Sequence, residues 1–248
     1  GEGKMSSPRQ IFSHLKNYFN QKNLVKKNNL SALVTTGPTR EYLDPIRYIS
    51  NESSGKQGYE VALALNKLGI KTKLITGPSN FPSSKDLKIK KVISAKEMMD
   101  EVKKSLPVDI AICAAAVSDF KPKYKSKNKI KKNTTNLSNI SLEKNADILD
   151  YLSKNNKFRP RIVVGFSAET ENVIQNSKLK IKEKYCDLIV ANDVSKKDSG
   201  FNSEYNEVSI IDKKGKIRFI PRNKKSIIAN AIAKIIIDKL LVNDKNIN

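Results

Sequence analysis

The sequence predicts an α/β protein: a Rossmann-like, doubly wound, mostly parallel sheet covered on both faces, with a C-terminal hairpin and helix and a mobile lysine-rich lid. Three observations carry this. Strand-like apolar runs alternate with helical patterns through most of the 248 residues. Two of those runs, VDIAICAAAV and RIVVGFSAE, are apolar throughout rather than alternating, as strands buried on both faces must be. The helical segments also carry start and stop signals where the periodicity changes.

Taken in order, Ser7-Pro8-Arg9-Gln10 is a capping box with proline at the first helical position. The helix it opens has Ile11, Phe12, Leu15 and Phe19 on one face. A polar connector leads to the first strand, LSALVTT, which breaks at Gly37-Pro38. Ser54 and Gln57 form a second capping-box match, and Gly69 ends that helix as a left-handed cap. KTKLITG is the next strand, and Ser94 with Glu97 caps a helix ending at Pro107. VDIAICAAAV, RIVVGFSAE and CDLIVAND follow as strands, with helices over 145–155 and 171–185 between them. EVSIIDKKGKIRFI reads as a hairpin turning near Lys214-Gly215, and KSIIANAIAKIIIDKLL as an amphipathic helix before a polar tail.

Composition excludes several classes. No apolar run approaches the ~20 residues of a membrane span, and the opening GEGKMSSPRQ has no apolar signal segment. The expectation is a cytoplasmic protein with no membrane partner. Cys113 and Cys186 lie in apolar, strand-like surroundings and read as reduced core thiols. One histidine, His14, and no Cys/His cluster argue against a zinc or His-based site. The formal charge of +22 suits nucleic acid, but lysine spread over nearly every segment produces a general positive field that serves small anions as well. Abundant lysine, asparagine and isoleucine also match an AT-rich coding bias, so the charge is read as mostly compositional.

Two stretches stand out. Residues 37–53 separate the first strand from the first helix without helical or strand periodicity, where connections are normally two to six residues. Arg40 and Arg47 offer planar forks to carboxylate or phosphate, and Asn51 offers donor and acceptor. Ser53, Ser54, Gly55 and Gly58 put free N–H groups at a helix start, which favours an anion. The same residues also suit a purely structural loop held by its own hydrogen bonds. The second stretch runs from Ser118 to Asn136. No acidic residue occurs between Asp119 and Glu143, and seven of the twelve residues from Lys121 to Lys132 are lysine. Such a run does not fold on itself, and the expectation is a mobile arm or lid until an anion orders it.

In a doubly wound sheet ligands sit beyond the carboxyl ends of the strands, where the strand order reverses. Gly37 to Asn51, Ser118-Asp119, Phe166 to Thr170 and Asn192-Asp193 all fall there. Lys180 and Lys184 are spaced to share one helix face, which by itself is better read as a solvated face; Asp119 by itself fits a turn cap. With the loop arginines these residues suggest a polyphosphate pocket acting by charge neutralisation, since no Ser–His or Cys–His pair is available. No GxGxxG follows a strand and no GxxxxGK[ST] occurs, which disfavours a dinucleotide reductase and a P-loop protein. A nucleic-acid module built on the lysine run has only Phe120 and Tyr124 for stacking.

Five motifs carry a resemblance: TTGPTREYLDPIRYISNESSGKQG, AAAVSDF with KIKK following, KNADIL, VVGFSAET, and LIVANDVS with GFNSEYNEV. From about Leu30 to the last helix the chain resembles phosphopantothenate–cysteine ligase of coenzyme A biosynthesis, of the bacterial type. GEGKMSSP is similar to the tail of the flavin-dependent decarboxylase that precedes this ligase in bifunctional proteins. The resemblance therefore implies that 1–29 is a linker and helix from a preceding decarboxylase domain, 30–242 the ligase domain and 243–248 a tail. That decarboxylase would be fused or act in trans, and no flavin would belong to this chain.

The resemblance implies CTP, 4′-phosphopantothenate and L-cysteine as substrates. The pantothenate carboxylate attacks the α-phosphate, releasing pyrophosphate, and the cysteine amine then displaces CMP. Mg²⁺ would accompany CTP, with its ligands unassigned, and the enzyme would be a homodimer. Carried over by motif, Ala115, Asp119, Phe166, Ala146, Asp147, Ile148 and Leu149 surround the nucleotide, with Lys129, Lys180 and Lys184 on its phosphates or ribose. Asn51, Arg47 and Lys129 are the implied catalytic residues, and the lysine arm the lid. Ser118 stands where alanine is common and Ala146 where proline is; neither change removes a charge or a donor.

Overall fold

The computed structural model describes residues 7–14, 30–82, 84–131, 139–154, 157–195 and 203–245. Helix α1 (residues 8–14) starts as the capping box predicts: Ser7 Oγ accepts from the Gln10 N–H at 3.3 Å and Gln10 Oε1 accepts from the Ser7 N–H at 3.0 Å. Leu15, Phe19 and the connector after them lie outside the described residues.

Strand β1 (Ser31–Thr36) is buried almost throughout. The long loop after it is not free of regular structure, as expected, but folds into a small hairpin of β2 (Glu41–Tyr42) and β3 (Tyr48–Ile49). Two-residue strands are too short for a periodic signal. Helix α2 (Lys56–Lys67) corrects a second expectation: Ser54 does not build a capping box with Gln57. The N-cap is Gly55 at φ 71°, without a side-chain cap, a left-handed backbone that glycine adopts at no steric cost. The other end is as predicted. Gly69 N–H bonds Asn66 O at 2.9 Å and Ile70 N–H bonds Leu65 O at 3.2 Å, a Schellman pattern that buries Ile70 beside Leu65.

Next come β4 (Lys71–Thr76), β5 (Lys88–Lys91), α3 (Ala95–Ser105) and β6 (Ile110–Cys113). The sequence Lys-Ile-Lys-Lys hid β5, because an exposed edge strand needs no apolar pattern and lysine protects it. Ser94 Oγ caps α3 by accepting from Glu97 N–H, while the Glu97 carboxylate reaches back to Ile93 N–H. The apolar run expected as one strand ends at Cys113. Ala114–Val117 continue beside the Gly37–Thr39 segment through Ala116 N–H to Gly37 O at 3.0 Å and Thr39 N–H to Ala116 O at 3.4 Å.

The base of the lysine arm is β7 (Phe120–Pro122), paired antiparallel with β8 (Leu142–Lys144). It packs on other segments, not on itself; residues 132–138, Lys132 included, lie outside the described residues. Then follow α4 (Ile148–Ser153), β9 (Ile162–Glu169), α5 (Val173–Lys184), β10 (Leu188–Asp193), β11 (Tyr205–Asp212), β12 (Ile217–Lys224) and α6 (Lys225–Lys245). The hairpin turns at Gly215 as predicted, and α6 extends into the expected polar tail.

The main sheet runs β12-β11-β10-β9-β6-β1-β4-β5. All pairs from β10 to β5 are parallel, and the β11–β12 hairpin is antiparallel. Successive residues face opposite layers. Val34, Leu74, Ile112, Val164 and Val190 pack in one core layer with α2 and α6, whose Ile228, Ile232 and Ile236 repeat on one face. Leu33, Ile75, Ala111, Val163 and Ile189 pack in the other with α3, α4 and α5. The chain builds outward from β1 to β4 and β5, then crosses back to β6, so the strand order reverses between β1 and β6. Among the described residues no helix is long and apolar enough to cross a membrane.

Candidate functional site

The reversal opens a cleft beyond the carboxyl ends of β1, β6, β9 and β10. Its front is the loop after β1, held by a buried carboxylate. Asp44, fully shielded from solvent, takes the N–H groups of Ile46 at 2.8 Å and Arg47 at 2.7 Å on Oδ1, as an Asx turn does. Its Oδ2 takes the Ile130 N–H and the Arg47 guanidinium, each at 3.2 Å. Burial alone pushes the Asp44 pKa up, but these three N–H groups and the Arg47 charge outweigh it and hold it below the usual value. Arg47 also donates to Ile130 O at 3.2 Å. The loop and the lysine arm are thereby clamped together one residue from Lys129, whose side chain is exposed.

Further clamps link the loop to the strand ends. Asn51 Nδ2 donates to Val117 O at 3.0 Å. The buried Thr39 Oγ1 accepts from Ser118 N–H at 3.0 Å. Asn145 then ties Ser118 and Asp119 to the start of α4: its Nδ2 donates to Ser118 O at 2.9 Å and its N–H to Asp119 O at 2.8 Å. Arg47, Asn51, Asp119 and Ile130, the neighbour of Lys129, spread over more than eighty residues of sequence, are thus all held by hydrogen bonds around the loop.

The remaining candidates gather where β6 and β9 end. Ala115 and Phe166 line a cavity with Ser53–Gly58. Lys180 Nζ donates to Phe166 O at 3.1 Å, and Lys184 Nζ pairs with Asp147 at 2.9 Å, so α5 points both ammonium groups toward the strand ends. Asp147 caps α4 by accepting from Asp150 N–H at 2.9 Å. Burial raises its pKa, but the Asp150 N–H and Lys184 win and leave it below the usual value; Lys184 is raised, chiefly by its hydrogen bond to Asp147. Ala146 precedes this cap. Ile148 and Leu149 are 4% and 7% exposed, so their side chains belong to the core. Leu149 packs against Gly165, where an added Cβ would lie 2.7 Å from its Cδ2. Burial pushes the Cys113 thiol far above its usual value and Cys186 up to about 12; neither serves as a nucleophile. Arg40 stands apart: its guanidinium lies 4.7 Å over the Tyr48 ring, beside Ser53 and Lys91 in a neighbouring cleft.

Sequence reasoning missed Asp44, Thr39, Asn145 and the back wall of the cavity, formed by Gln57, Asn206 and Lys225. Asp44-Pro45 carried a turn signal; the back wall carried none, because it comes from β11 and α6, some 150 residues from Gln57. Gly58 is the residue that lets α2 close on β1, since a Cβ there would lie 2.3 Å from Thr36 Oγ1.

Fold and cleft define a doubly wound α/β protein with an open cleft at the topological switch point, lined by Lys56, Lys225 and the start of α2. Residues 27–240 match the family described as the DNA/pantothenate metabolism flavoprotein C-terminal domain, and the chain belongs to that family. It is 41% identical over 236 residues to the coenzyme A biosynthesis bifunctional protein CoaBC of Borreliella burgdorferi, covering 94% of this chain and 58% of that protein. The CoaBC of Haemophilus influenzae is 39% identical over 237 residues, with 95% and 58% covered. The chain thus spans under two thirds of these relatives. A crystal structure of the C-terminal domain of a CoaBC protein superimposes with a TM-score of 0.72 at 33% identity, covering 87% of this chain and 97% of that one.

Proposed function

We propose that the chain is a phosphopantothenate–cysteine ligase, joining 4′-phosphopantothenate to L-cysteine through an acyl-cytidylate formed from CTP. The observation that carries the reading is the frame linking Arg47, Asn51, Asp119 and the arm beside Lys129 at the mouth of the cleft. It ties Arg47, Asn51 and the arm beside Lys129 to the strand ends by hydrogen bonds and includes no side-chain nucleophile, which suits a reaction between substrate carboxylate and substrate phosphate. Phe166, Ala115 and the Ala146–Leu149 turn flank the nucleotide, with Lys180 and Lys184 toward its ribose and phosphates. Asn51 faces the acyl-phosphate as a neutral donor. The arm closes as a lid, bringing Lys129 to the α-phosphate and keeping water from the reactive anhydride.

Among the described residues no three Asp, Glu, His or Cys side chains converge on a metal position. That donor set fits Mg²⁺ carried mainly by triphosphate oxygens and water, where it would neutralise phosphate charge. The protein acts in the cytoplasm, and flavin chemistry belongs to a decarboxylase domain, fused or in trans. The exposed Ile46, Tyr48, Phe120, Ile140 and Leu142 around the two small ladders suit a face covered by a second copy of the chain.

The test is order of product release. Labelled CTP with 4′-phosphopantothenate, without cysteine, should yield pyrophosphate in amounts near the enzyme concentration. An absolute need for cysteine before any pyrophosphate forms would sink the two-step reading.

A further inference from the structure

The lysine arm meets the loop after β1 at three levels. Lys125 Nζ lies 5.4 Å over the Tyr42 ring, Ser126 N–H donates to Leu43 O at 2.9 Å, and Ile130 N–H donates to Asp44 Oδ2 at 3.2 Å. Between the last two anchors Lys127, Asn128 and Lys129 are exposed, while Ser126 and Ile130 are half-buried. Ser126 also shapes the turn it opens: its Oγ donates to Asn128 O at 2.6 Å and accepts from Asn128 N–H at 3.3 Å. A run with seven lysines in twelve residues repels itself, and no acidic residue lies between Asp119 and Glu143 to offset that. The carboxylates that hold it come from outside. Glu143 pairs with Lys121 at 3.2 Å at the base, and the buried Asp44 takes the far end by a charge-assisted bond to backbone. Asp44 divides its two oxygens between two tasks. Oδ1 builds the loop's own turn through the Ile46 and Arg47 N–H groups. Oδ2 takes the Ile130 N–H and the Arg47 guanidinium, and the same Arg47 Nη1 donates to Ile130 O at 3.2 Å. Ile130 is therefore gripped by both of its backbone groups, one peptide from Lys129.

We infer that Asp44 is a positioning residue for Lys129: through Oδ2 it fixes the point from which the arm presents that ammonium. The inference deepens the ligase reading and rests on it only for what Lys129 acts on. With Ile130 held, Lys129 travels no farther than its own side chain and one peptide allow. Much of the entropy cost of placing an ammonium at a reacting phosphate then falls on folding, not on the reaction. Lys127 follows the other anchor, at Ser126, and does not share that point. Two lysines alike in charge and exposure are thereby given different roles, and the lid turns about a fixed anchor.

The test is a double-mutant cycle on the whole chain, read by pyrophosphate release from CTP and 4′-phosphopantothenate at saturating cysteine. Amide hydrogen exchange across residues 126–131 is a second readout that needs no turnover. Asp44→Asn keeps the Oδ1 acceptor but turns a donor toward the Ile130 N–H and Arg47. Asp44→Ser keeps a hydroxyl for the turn and leaves the Ile130 N–H without its acceptor. Each should lower kcat by about tenfold or more with the KM for CTP within about threefold of wild type, and each should raise exchange across the arm several-fold. In the Lys129→Gln chain the same changes should cost about threefold or less, because the lysine they position is gone and only the share carried by Arg47 remains. Losses that multiply in full make Asp44 merely structural and overturn the inference, and so does exchange unchanged from wild type. Should Asp44→Asn fail to fold, Asp44→Ser decides. A wild-type chain that forms no pyrophosphate, together with raised arm exchange in Asp44→Ser, would sink the ligase reading and leave the anchor standing.

Discussion

Asn51 is the residue at which the proposed chemistry and the observed geometry can be separated most cleanly. Its Nδ2 donates to Val117 O at 3.0 Å, and its side chain is exposed at the mouth of the cleft. Asn51→Ala removes one hydrogen bond that fixes the loop to the strand end, worth about 0.5–1.5 kcal/mol. That is roughly 2- to 10-fold in kcat/KM if the bond serves to position the loop. Asn51→Asp loses the same donor and adds a carboxylate facing both the Val117 carbonyl and the phosphate under attack. Two unit charges about 4 Å apart repel by about 1 kcal/mol in water and about 4 kcal/mol at the edge of a protein. Taking the lower half of that range for an exposed group, the added loss is roughly 5- to 70-fold. The assay is kcat/KM from pyrophosphate release at saturating cysteine, with thermal unfolding as control. Both variants lose the same donor, so both should lose a similar amount of stability, no more than the roughly 0.5–1.5 kcal/mol of that hydrogen bond. Equal losses in Asn51→Ala and Asn51→Asp would refute the claim that an anion develops beside Asn51, and wild-type rates in both would make it a turn residue.

Lys129→Gln should lower kcat by about 10²-fold, as for one oriented charge-stabilising donor, while Lys127→Gln changes little; equal, mild effects would reduce the run to a solvated charge cluster. The Asp147–Lys184 pair is half exposed, so after screening it contributes about 0–1 kcal/mol. Its pH dependence has a defined sign. Asp147 lies below its ordinary 3.8 when folded, so its contribution is present above the unfolded value and lost as pH falls through the folded one. Lys184 lies above its ordinary 10.5, so its contribution is present below the unfolded value and lost as pH rises through the folded one. Asp147→Asn should therefore melt below wild type between these limits and converge with it outside them. Asp147→Ala should lose about 1 kcal/mol more by removing the α4 cap, a further drop of about 2–4 °C; melting curves at several pH values check both.

The sequence by itself determined the layers. Continuous apolar strands, the Ser7 and Ser94 caps, Gly69 and the Gly215 turn are local signals, since each reflects what one short segment does with its own backbone groups and apolar face. It also singled out Asn51, Arg47 and Asp119 as polar residues past the ends of apolar runs, and Phe166 near the end of another. It could not yield β5 or the β2–β3 hairpin, whose strands are too short or too exposed to need a pattern. Nor could it distinguish Ser54 from Gly55 at the start of α2, since glycine is needed there by a left-handed backbone and by the close approach of Gly37, whose Cα would lie 2.9 Å from an added Cβ. The arm read as a charge run, yet its base is held by β8 and by Asp44, two partners remote in sequence. The cavity behind α2 is the clearest case. Gln57, Asn206 and Lys225 meet only because the antiparallel β11–β12 hairpin returns the chain to α2 before α6 begins. A side chain's charge is written in the sequence; whether it is buried beside another is decided by which segments the sheet brings together.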